Sequence, residues 1–288
     1  MASEAIIQKK SNFAVRLLKP LLKESTLAVG GVLLLMFVLL SLFAPWITHY
    51  GPEDQDLMSA LQTPSAGHWF GTDELGRDIF SRVIYAGRID LTIAIGGVLL
   101  AFLLALPFGL SAGYYGGRID RWISTVSESI LTFPSLVLAI IIVSMIGTGK
   151  TGLIITVMIT QAPQLVRYLR GFVFQIREME YITAAKAAGS RTPFIMIHHV
   201  LRNILGSSMV ILSLMASEAV LVAAALGFLG LGVQPPDPEW GTMLSRSRSY
   251  FTQTPHLMIF PGMAIAMLIL SFNLLGDGLR DYLDSKKR

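Results

Sequence analysis

Six stretches of this chain are long, apolar and almost free of charged residues. A helix needs about 20 apolar residues to cross about 30 Å of hydrocarbon. The stretches cover residues 25–52, 91–117, 129–149, 151–166, 203–236 and 249–276. The fourth stretch is short, but Lys150 and Arg167 at its ends can extend to the two membrane interfaces. The pattern predicts an all-α integral membrane protein with six transmembrane helices.

These stretches also predict how the chain is divided. The first apolar run is longer than the core of a secretory signal and is not followed by small residues that suit cleavage, so we interpret it as a retained span. The predicted parts are a cytoplasmic N-terminal segment (1–25), a first transmembrane helix (26–48), an external loop (49–88), a five-helix core (89–277) with a long cytoplasmic loop (171–202), and a cytoplasmic tail (278–288).

Composition and charge support this topology. Hydrophobic residues make up 53% of the chain, charged residues 15%, and the mean hydropathy is +0.60. With a cytoplasmic N-terminus, the cytoplasmic segments carry 17 Lys and Arg residues and the external segments carry 6. Because cytoplasmic loops are enriched in Lys and Arg, both termini are predicted to be cytoplasmic. The chain has no cysteine, which excludes disulfides and thiolate metal sites.

One short motif resembles a nucleotide-binding P-loop but does not satisfy its requirements. Gly149, Lys150 and Thr151 match the end of that motif, while Ser144 stands where the first glycine belongs. The motif lies in a turn between two apolar stretches, and no strand pattern precedes it. The five histidines show no metal-ligand spacing, so no metal site is predicted. The chain is therefore not predicted to be an enzyme.

The loop at 171–202 contains a predicted helix over residues 176–188. Good helix formers fill it, Glu178 and Glu180 lie near its start, and Gly189 follows as a C-terminal cap. Tyr181, Ala185 and Ala188 fall on one face. A face made mostly of alanine buries little area alone, which favours docking in a groove of another protein. A helix resting on lipid is the alternative.

Two predicted external loops have structured sequences. The first contains HWFGTDELGRD, in which Gly71 and Gly76 indicate turns before an amphipathic segment. The second contains GFLGLGVQPPDPEWGTML, whose glycines and prolines predict irregular backbone. Such backbone in a membrane protein must be exposed to water or buried in protein.

Glu218 is the one acidic residue in the middle of a predicted span. A carboxylate there costs about 2.5–3.5 kcal/mol on insertion scales, so it should face the protein interior or a wet cavity. Two hypotheses remain open at this point. Glu218 lines a path and meets a cationic group of a cargo, or it forms an interhelical hydrogen bond with Gln161 or Asn273.

Four segments in this order resemble one family. They are GTDELGRDIFSR, YITAAKAAG followed by HHVLRN, GFLGLGVQPPDPEWGTML, and FNLLGDGLRD. Together they are similar to the permease subunits of ABC importers of the dipeptide, oligopeptide and nickel class. The resemblance implies a type I ABC importer permease fold, with a first helix preceding a core of five.

The resemblance also implies sites. The loop helix would be a coupling helix that docks on an ATPase subunit, through Glu180, Tyr181, Thr183, Ala184, Ala185 and Gly189. The wider family pattern has Glu, Ile and Pro where this chain has Thr183, His199 and Arg202. The external loop motif would comprise Gly71, Asp73, Gly76, Arg77 and Asp78. Glu218, Gln161 and Asn273 are the candidates for the translocation path.

The implied partners are a second permease, two ABC ATPases, an extracytoplasmic binding protein and the lipid bilayer of a bacterial or archaeal cytoplasmic membrane, with no nucleic acid. The chain would bind no cofactor, because ATP and magnesium belong to the ATPases. Closure of the ATPases would switch the translocation path between inward-facing and outward-facing states. Di- and oligopeptides, a modified peptide such as glutathione, and a nickel chelate remain alternative cargoes. A stand-alone carrier or channel is the remote alternative, and it would function without partner chains.

Overall fold

The described part of the protein, residues 25–285 of a computed structural model, is built from helices and contains no β-strand. The all-α prediction is confirmed for these residues. The predicted N-terminal segment lies outside them except for Ser25, as do the last three residues of the predicted tail. The helices of eight or more residues are α1 (Ser25–Leu42), α2 (Ile79–Tyr115), α3 (Gly117–Leu131), α4 (Ser135–Ile146), α5 (Lys150–Arg177), α6 (Glu180–Ala187), α7 (Thr192–Phe228), α8 (Trp240–Ser247) and α9 (His256–Ser285).

Four of these helices are long and apolar enough to cross a membrane: α1, α2, α7 and α9. The count becomes five if α3 and α4 together make one span. Helix α5 has 28 residues, but the arginines near its end lower its hydropathy. The length and composition of the helices therefore give four or five candidate spans, not the predicted six.

Several boundaries differ from the predicted ones because helices continue past the apolar stretches. Helix α2 begins at Ile79, ten residues before the predicted start of the five-helix core at 89. Helix α5 continues to Arg177 and α7 begins at Thr192, so only residues 178–191 remain as a connection in the predicted loop 171–202. The polar ends of membrane helices can extend into water, and a search for apolar stretches does not detect these ends.

The third predicted span is broken. Helices α3 and α4 meet at a 90° bend at residues 132–134. Pro134 precedes α4 and supplies no backbone N–H, and Thr132 and Phe133 bond back to the end of α3. Only 12 residues of the predicted 129–149 span form the straight helix α4.

The most extensive helix packing joins α2 and α5. Three glycines on α2 allow the close approach: a Cβ on Gly97, Gly109 or Gly113 would lie 2.5–2.6 Å from side-chain atoms of Val157, Leu169 or Val173. Small residues at such spacing are typical of tight helix contacts in membranes. Helix α1 packs in the same manner on α9, where a Cβ on Gly278 would lie 2.4 Å from Leu27.

Helix α7 contains a π-helical stretch, Ile195–Leu201, directly after the 178–191 connection. The buried positions here are Ile195, Val200 and Ile204. Ile195 and Val200 are five residues apart, which fits the wider π turn. This turn places Val200, rather than His199, toward the core.

Candidate functional site

Helix α6 lies in the connection between α5 and α7 and ends as predicted. Gly189 has φ +79°. Its N–H donates to Lys186 O at 3.0 Å, and Ser190 N–H donates to Ala185 O at 3.1 Å. This pair of bonds is the Schellman arrangement, which needs a left-handed residue that glycine adopts without strain. The helix start differs from the prediction, because Ile176 and Arg177 belong to α5.

One side chain anchors this connection to the protein. Ile182 is fully buried, and it is the only buried residue among 178–191. Its burial was not predicted from the sequence, although a lone branched apolar residue among alanines was a usable signal. The other predicted residues lie on the surface: Glu180, Tyr181, Thr183, Ala184 and Gly189 are exposed and Ala185 is half-buried.

Aromatic rings lie where α6 faces the start of α7. Phe194 stacks on His198 with ring centroids 4.2 Å apart, and Tyr181 lies 6.4 Å from the His199 ring. Partial burial raises the pKa of the Tyr181 hydroxyl. The phenol therefore stays neutral, and the exposed face of α6 combines one aromatic ring, small side chains and Glu180.

Two of the three path candidates share a cavity. Glu218 on α7 and Gln161 on α5 line a cavity of about 40 Å³, which is closed on its other side by residues at the α3–α4 bend. Gln161 Nε2 donates to Met215 O at 3.0 Å, whereas its buried Oε1 has no partner among the described residues. Glu218 and Gln161 thus bring a carboxyl group and an amide to a cavity that is otherwise lined mainly by apolar residues.

Asn273 does not join this cavity. Its Oδ1 accepts from Ser217 Oγ at 2.8 Å, a contact between α9 and α7. No hydrogen bond or ion pair within residues 25–285 joins Glu218 to Gln161 or Asn273. The described residues therefore do not show the interhelical hydrogen bonds of the second hypothesis, and the role of Glu218 stays a prediction.

Residues 49–78, here called the acidic module, contain the GTDELGRD motif and precede α2. Asp73 Oδ1 accepts from the N–H groups of Leu75 and Arg77 at 2.9 and 3.0 Å, and its Oδ2 accepts from Arg77 Nε at 2.7 Å. Both Asp73 and Arg77 are buried. Asp78 caps α2, accepting from Ser81 N–H at 2.7 Å, and pairs with His68 at 3.0 Å. The five predicted motif residues thus form one compact structural unit.

The two motif glycines are required by close backbone contacts. Gly71 and Gly76 have φ +80° and +72°. A Cβ on Gly76 would lie 1.8 Å from Asp56 O, and one on Gly71 would lie 2.4 Å from Gln62 O. These positions fix the fold of the acidic module rather than contact a ligand directly.

Three glycines of the 227–241 stretch make room for Glu239, whose role was not predicted from the sequence. A Cβ on Gly227, Gly232 or Gly241 would lie 2.4–2.8 Å from a carboxylate oxygen of Glu239. Glu239 is fully buried and caps α8, accepting from Gly241 N–H at 2.7 Å and Thr242 N–H at 2.9 Å. Burial raises the pKa of Glu239, and the hydrogen bonds from Thr242 and Gly241 oppose that rise.

No group of three or more residues able to hold a metal ion occurs among residues 25–285.

Comparison with known proteins gives two family matches. Residues 105–288 match the model of the binding-protein-dependent transport system inner membrane component. Residues 16–64 match the N-terminal transmembrane domain of oligopeptide transport permease C.

Curated relatives extend over most of the chain. It is 44% identical to a dipeptide transport system permease of Alkalihalophilus pseudofirmus, covering 93% of this chain and 88% of the relative. A di/tripeptide transport system permease of Pseudomonas aeruginosa is 41% identical, over 90% and 88% of the two chains. A glutathione transport system permease of Pectobacterium atrosepticum is 38% identical, over 92% and 88%.

Among solved structures, the inward-facing MetNI methionine ABC transporter contains a similar chain. The TM-score is 0.56 at 17% identity, covering 70% of this chain and 96% of that one. At that identity the likeness concerns the fold, which is the type I ABC importer permease fold.

Proposed function

This chain belongs to the family of binding-protein-dependent transport system inner membrane components and is a permease subunit of an ABC importer, and on that premise we propose that its cargo is a di- or oligopeptide. The observation that carries the cargo proposal is the 44% identity to a dipeptide permease over 93% of the chain. The 38% identity to a glutathione permease supports a modified peptide as the second candidate.

The chain acts with partners and has no catalytic role of its own in this proposal. A second permease completes the path, two ATPases bind ATP and magnesium, and a binding protein delivers the cargo from outside the bacterial membrane. Both termini lie in the cytoplasm, which the distribution of Lys and Arg supports.

The exposed face of α6 is the docking surface for an ATPase. Its support is structural: a short helix whose one buried side chain is Ile182 exposes Glu180, Thr183 and Ala184 between two long helices. Movement imposed on α6 passes to α5 and α7, and Gln161 and Glu218 lie on those helices. ATPase closure thereby alternates access to the cavity as a rigid-body change.

Glu218 and Gln161 contact the cargo on its way. A peptide carries a free α-amino group, which is cationic at neutral pH because its pKa is about 7.7–8.0. The Glu218 carboxylate and the unpaired Gln161 Oε1 both accept hydrogen bonds and suit that group.

Co-purification and transport test this function. The chain, co-expressed with its neighbouring genes, should retain a second permease and two ATPases and hydrolyse ATP. Ala184→Trp should abolish ATPase retention while the chain remains folded, because Ala184 is exposed; Gln55→Trp, also at an exposed position, is the control. A chain that purifies alone and transports without ATP would overturn the importer role.

The cargo is tested in the same reconstituted complex. Unlabelled dipeptides should compete with a labelled dipeptide, and glutathione and a nickel chelate should compete poorly. Glu218→Gln should reduce uptake of the dipeptide and retain the ATPases. Equal uptake by Glu218→Gln and wild type would contradict the role of this carboxylate, and stronger competition by glutathione would favour the second cargo.

A further inference from the structure

Two carboxyl groups are buried next to each other where α8 meets α2. Asp90 on α2 is 1% exposed and Glu239, the cap of α8, is 0% exposed. Trp240 N–H donates to Asp90 Oδ2 at 3.4 Å, and Trp240 Nε1 donates to Val83 O at 2.9 Å. The start of α8 is therefore attached to α2 through Trp240, between the two acids.

The surroundings of Glu239 suit a carboxylate. Its Oε1 accepts from Gly241 N–H, and its Oε2 accepts from Thr242 N–H. Hydrogen bonds donated by backbone N–H groups stabilise the ionised form of a carboxyl group. Side chains at the three glycines around it would collide with its carboxyl group, so these positions make room for it.

The surroundings of Asp90 suit a neutral acid. Its only hydrogen bond among the described residues is the long one from Trp240 N–H, and its buried Oδ1 has no partner there. An ionised oxygen without donors is costly in such a site, and a second negative charge nearby adds repulsion. A proton on Oδ1 removes both costs.

Among residues 25–285, the neighbouring arginines are engaged elsewhere. Arg82 donates to Pro52 O, Arg88 donates to Ser41 O and Leu42 O, and Arg246 on α8 lies near Glu74. Helix α7 contributes uncharged Ala224 and Gly227 to this region. Buried carboxyl pairs without a cation retain a proton, which the more poorly solvated member carries.

We propose that Asp90 and Glu239 form a proton-binding site that retains one proton on Asp90 at neutral pH, and that this proton holds α8 against α2. The site is separate from the cargo cavity and from α6, so it does not depend on the proposed cargo or docking. Protonation makes the pair monoanionic, and loss of the proton at alkaline pH places two charges in the same buried contact.

The sign of the pH effect follows from proton binding by the folded state. A proton held more tightly in the folded protein than in the unfolded chain stabilises the fold at low pH. That stabilisation is lost as pH rises and the folded site releases its proton. The wild-type complex should therefore lose thermal stability toward alkaline pH in a way that Asp90→Asn does not.

Infrared spectroscopy of the purified complex tests the proposal directly. Wild type in D₂O at pH 7 should show the C=O band of a protonated buried carboxyl, and ¹³C labelling of aspartate carboxyls should shift it. Asp90→Asn should remove the band. Asp237→Asn, an exposed acid two residues before Glu239, should leave it unchanged.

A second pair of variants assigns the proton. Asp90→Asn imitates the neutral acid without the cost of holding a proton that the unfolded chain releases above about pH 4, so it should fold with a melting temperature at pH 7 equal to or above that of wild type. Gln at 239 turns an NH₂ group toward N–H donors, so Glu239→Gln should lower the melting temperature at every pH. An absent band in wild type, a band without the aspartate isotope shift, or equal stability of the two variants would each overturn the proposal. If Asp90→Asn does not fold, the isotope shift and the alkaline loss of the band in wild type decide.

Discussion

The acidic module (49–78) and the connecting segment (178–191) are both short non-spanning regions next to long helices, yet they are built in opposite ways. The acidic module buries Thr72, Asp73, Arg77 and Asp78 and satisfies them with hydrogen bonds. The connecting segment buries Ile182 alone. Buried polar networks fix one geometry, whereas a region with a single anchor can move as a unit. The first region has a set shape, and the second leaves its side chains free for a partner.

Replacing a left-handed glycine by alanine should give the largest difference in stability loss between the two regions. Gly76→Ala forces a Cβ to within 1.8 Å of Asp56 O, so backbone must move, and we expect destabilisation above about 4 kcal/mol. Gly189→Ala has the same kind of φ but open space around the Cβ, so about 1–2 kcal/mol is expected from strain alone. Thermal unfolding of the purified complex measures both. Similar losses in the two variants would show that packing at Gly76 does not matter.

Removing an ion pair should give the next largest difference. Arg77→Met removes the shorter of two ion pairs to the buried Asp73 carboxylate and leaves only Arg82 Nε at 3.6 Å, so a cost of about 2–3 kcal/mol is expected. Arg170→Met breaks the Arg170–Asp120 pair, whose side chains are 39% and 23% exposed, so a loss of about 1 kcal/mol or less is expected. Urea unfolding at two salt concentrations is the measurement. A larger effect at Arg170 would reverse the comparison.

The smallest effect on the whole fold should come from the single anchor of the connecting segment. Ile182→Ala removes buried methyl groups worth about 2–4 kcal/mol locally. Because α6 contacts little else, we expect faster amide hydrogen exchange across 180–187 and a nearly unchanged global melting temperature. Thr183→Ala, at the neighbouring exposed position, is the control and should change neither. Cooperative loss of the entire fold in Ile182→Ala would contradict the idea that this segment can unfold locally.

Local patterns in the sequence predicted the helices and the end of α6. Gly189 was identified as the helix stop because a left-handed cap requires only neighbouring residues, and the structure places its two cap bonds there. The apolar stretches likewise located α1, α2, α7 and α9. The position of Pro134 was available too, but its consequence, a 90° bend, depends on what α3 packs against.

Contacts between distant parts of the chain were not predictable in this way. Glu239 follows three prolines and was included only in an irregular loop, because its burial depends on Gly227, Gly232 and Gly241 converging around it. Asp90 had no visible partner in the sequence, since Glu239 lies far along the chain. Asn273 was paired with Glu218 as an alternative, whereas the structure pairs it with Ser217.

The bend between α3 and α4 has an electrical consequence. Helix α4 has 12 residues, so its axis is about 18 Å long, against about 30 Å of hydrocarbon. Non-helical backbone at 132–134 must contact protein or water at that depth. Where water reaches this backbone, the membrane voltage drops across the remaining low-dielectric layer. Moving one elementary charge across that layer changes its free energy by about 2.3 kcal/mol per 100 mV. Glu218 lines the cavity next to that bend. If the cargo passes Glu218 as proposed, a positively charged group on it would cross a concentrated part of the membrane potential, which would draw it toward the negative side.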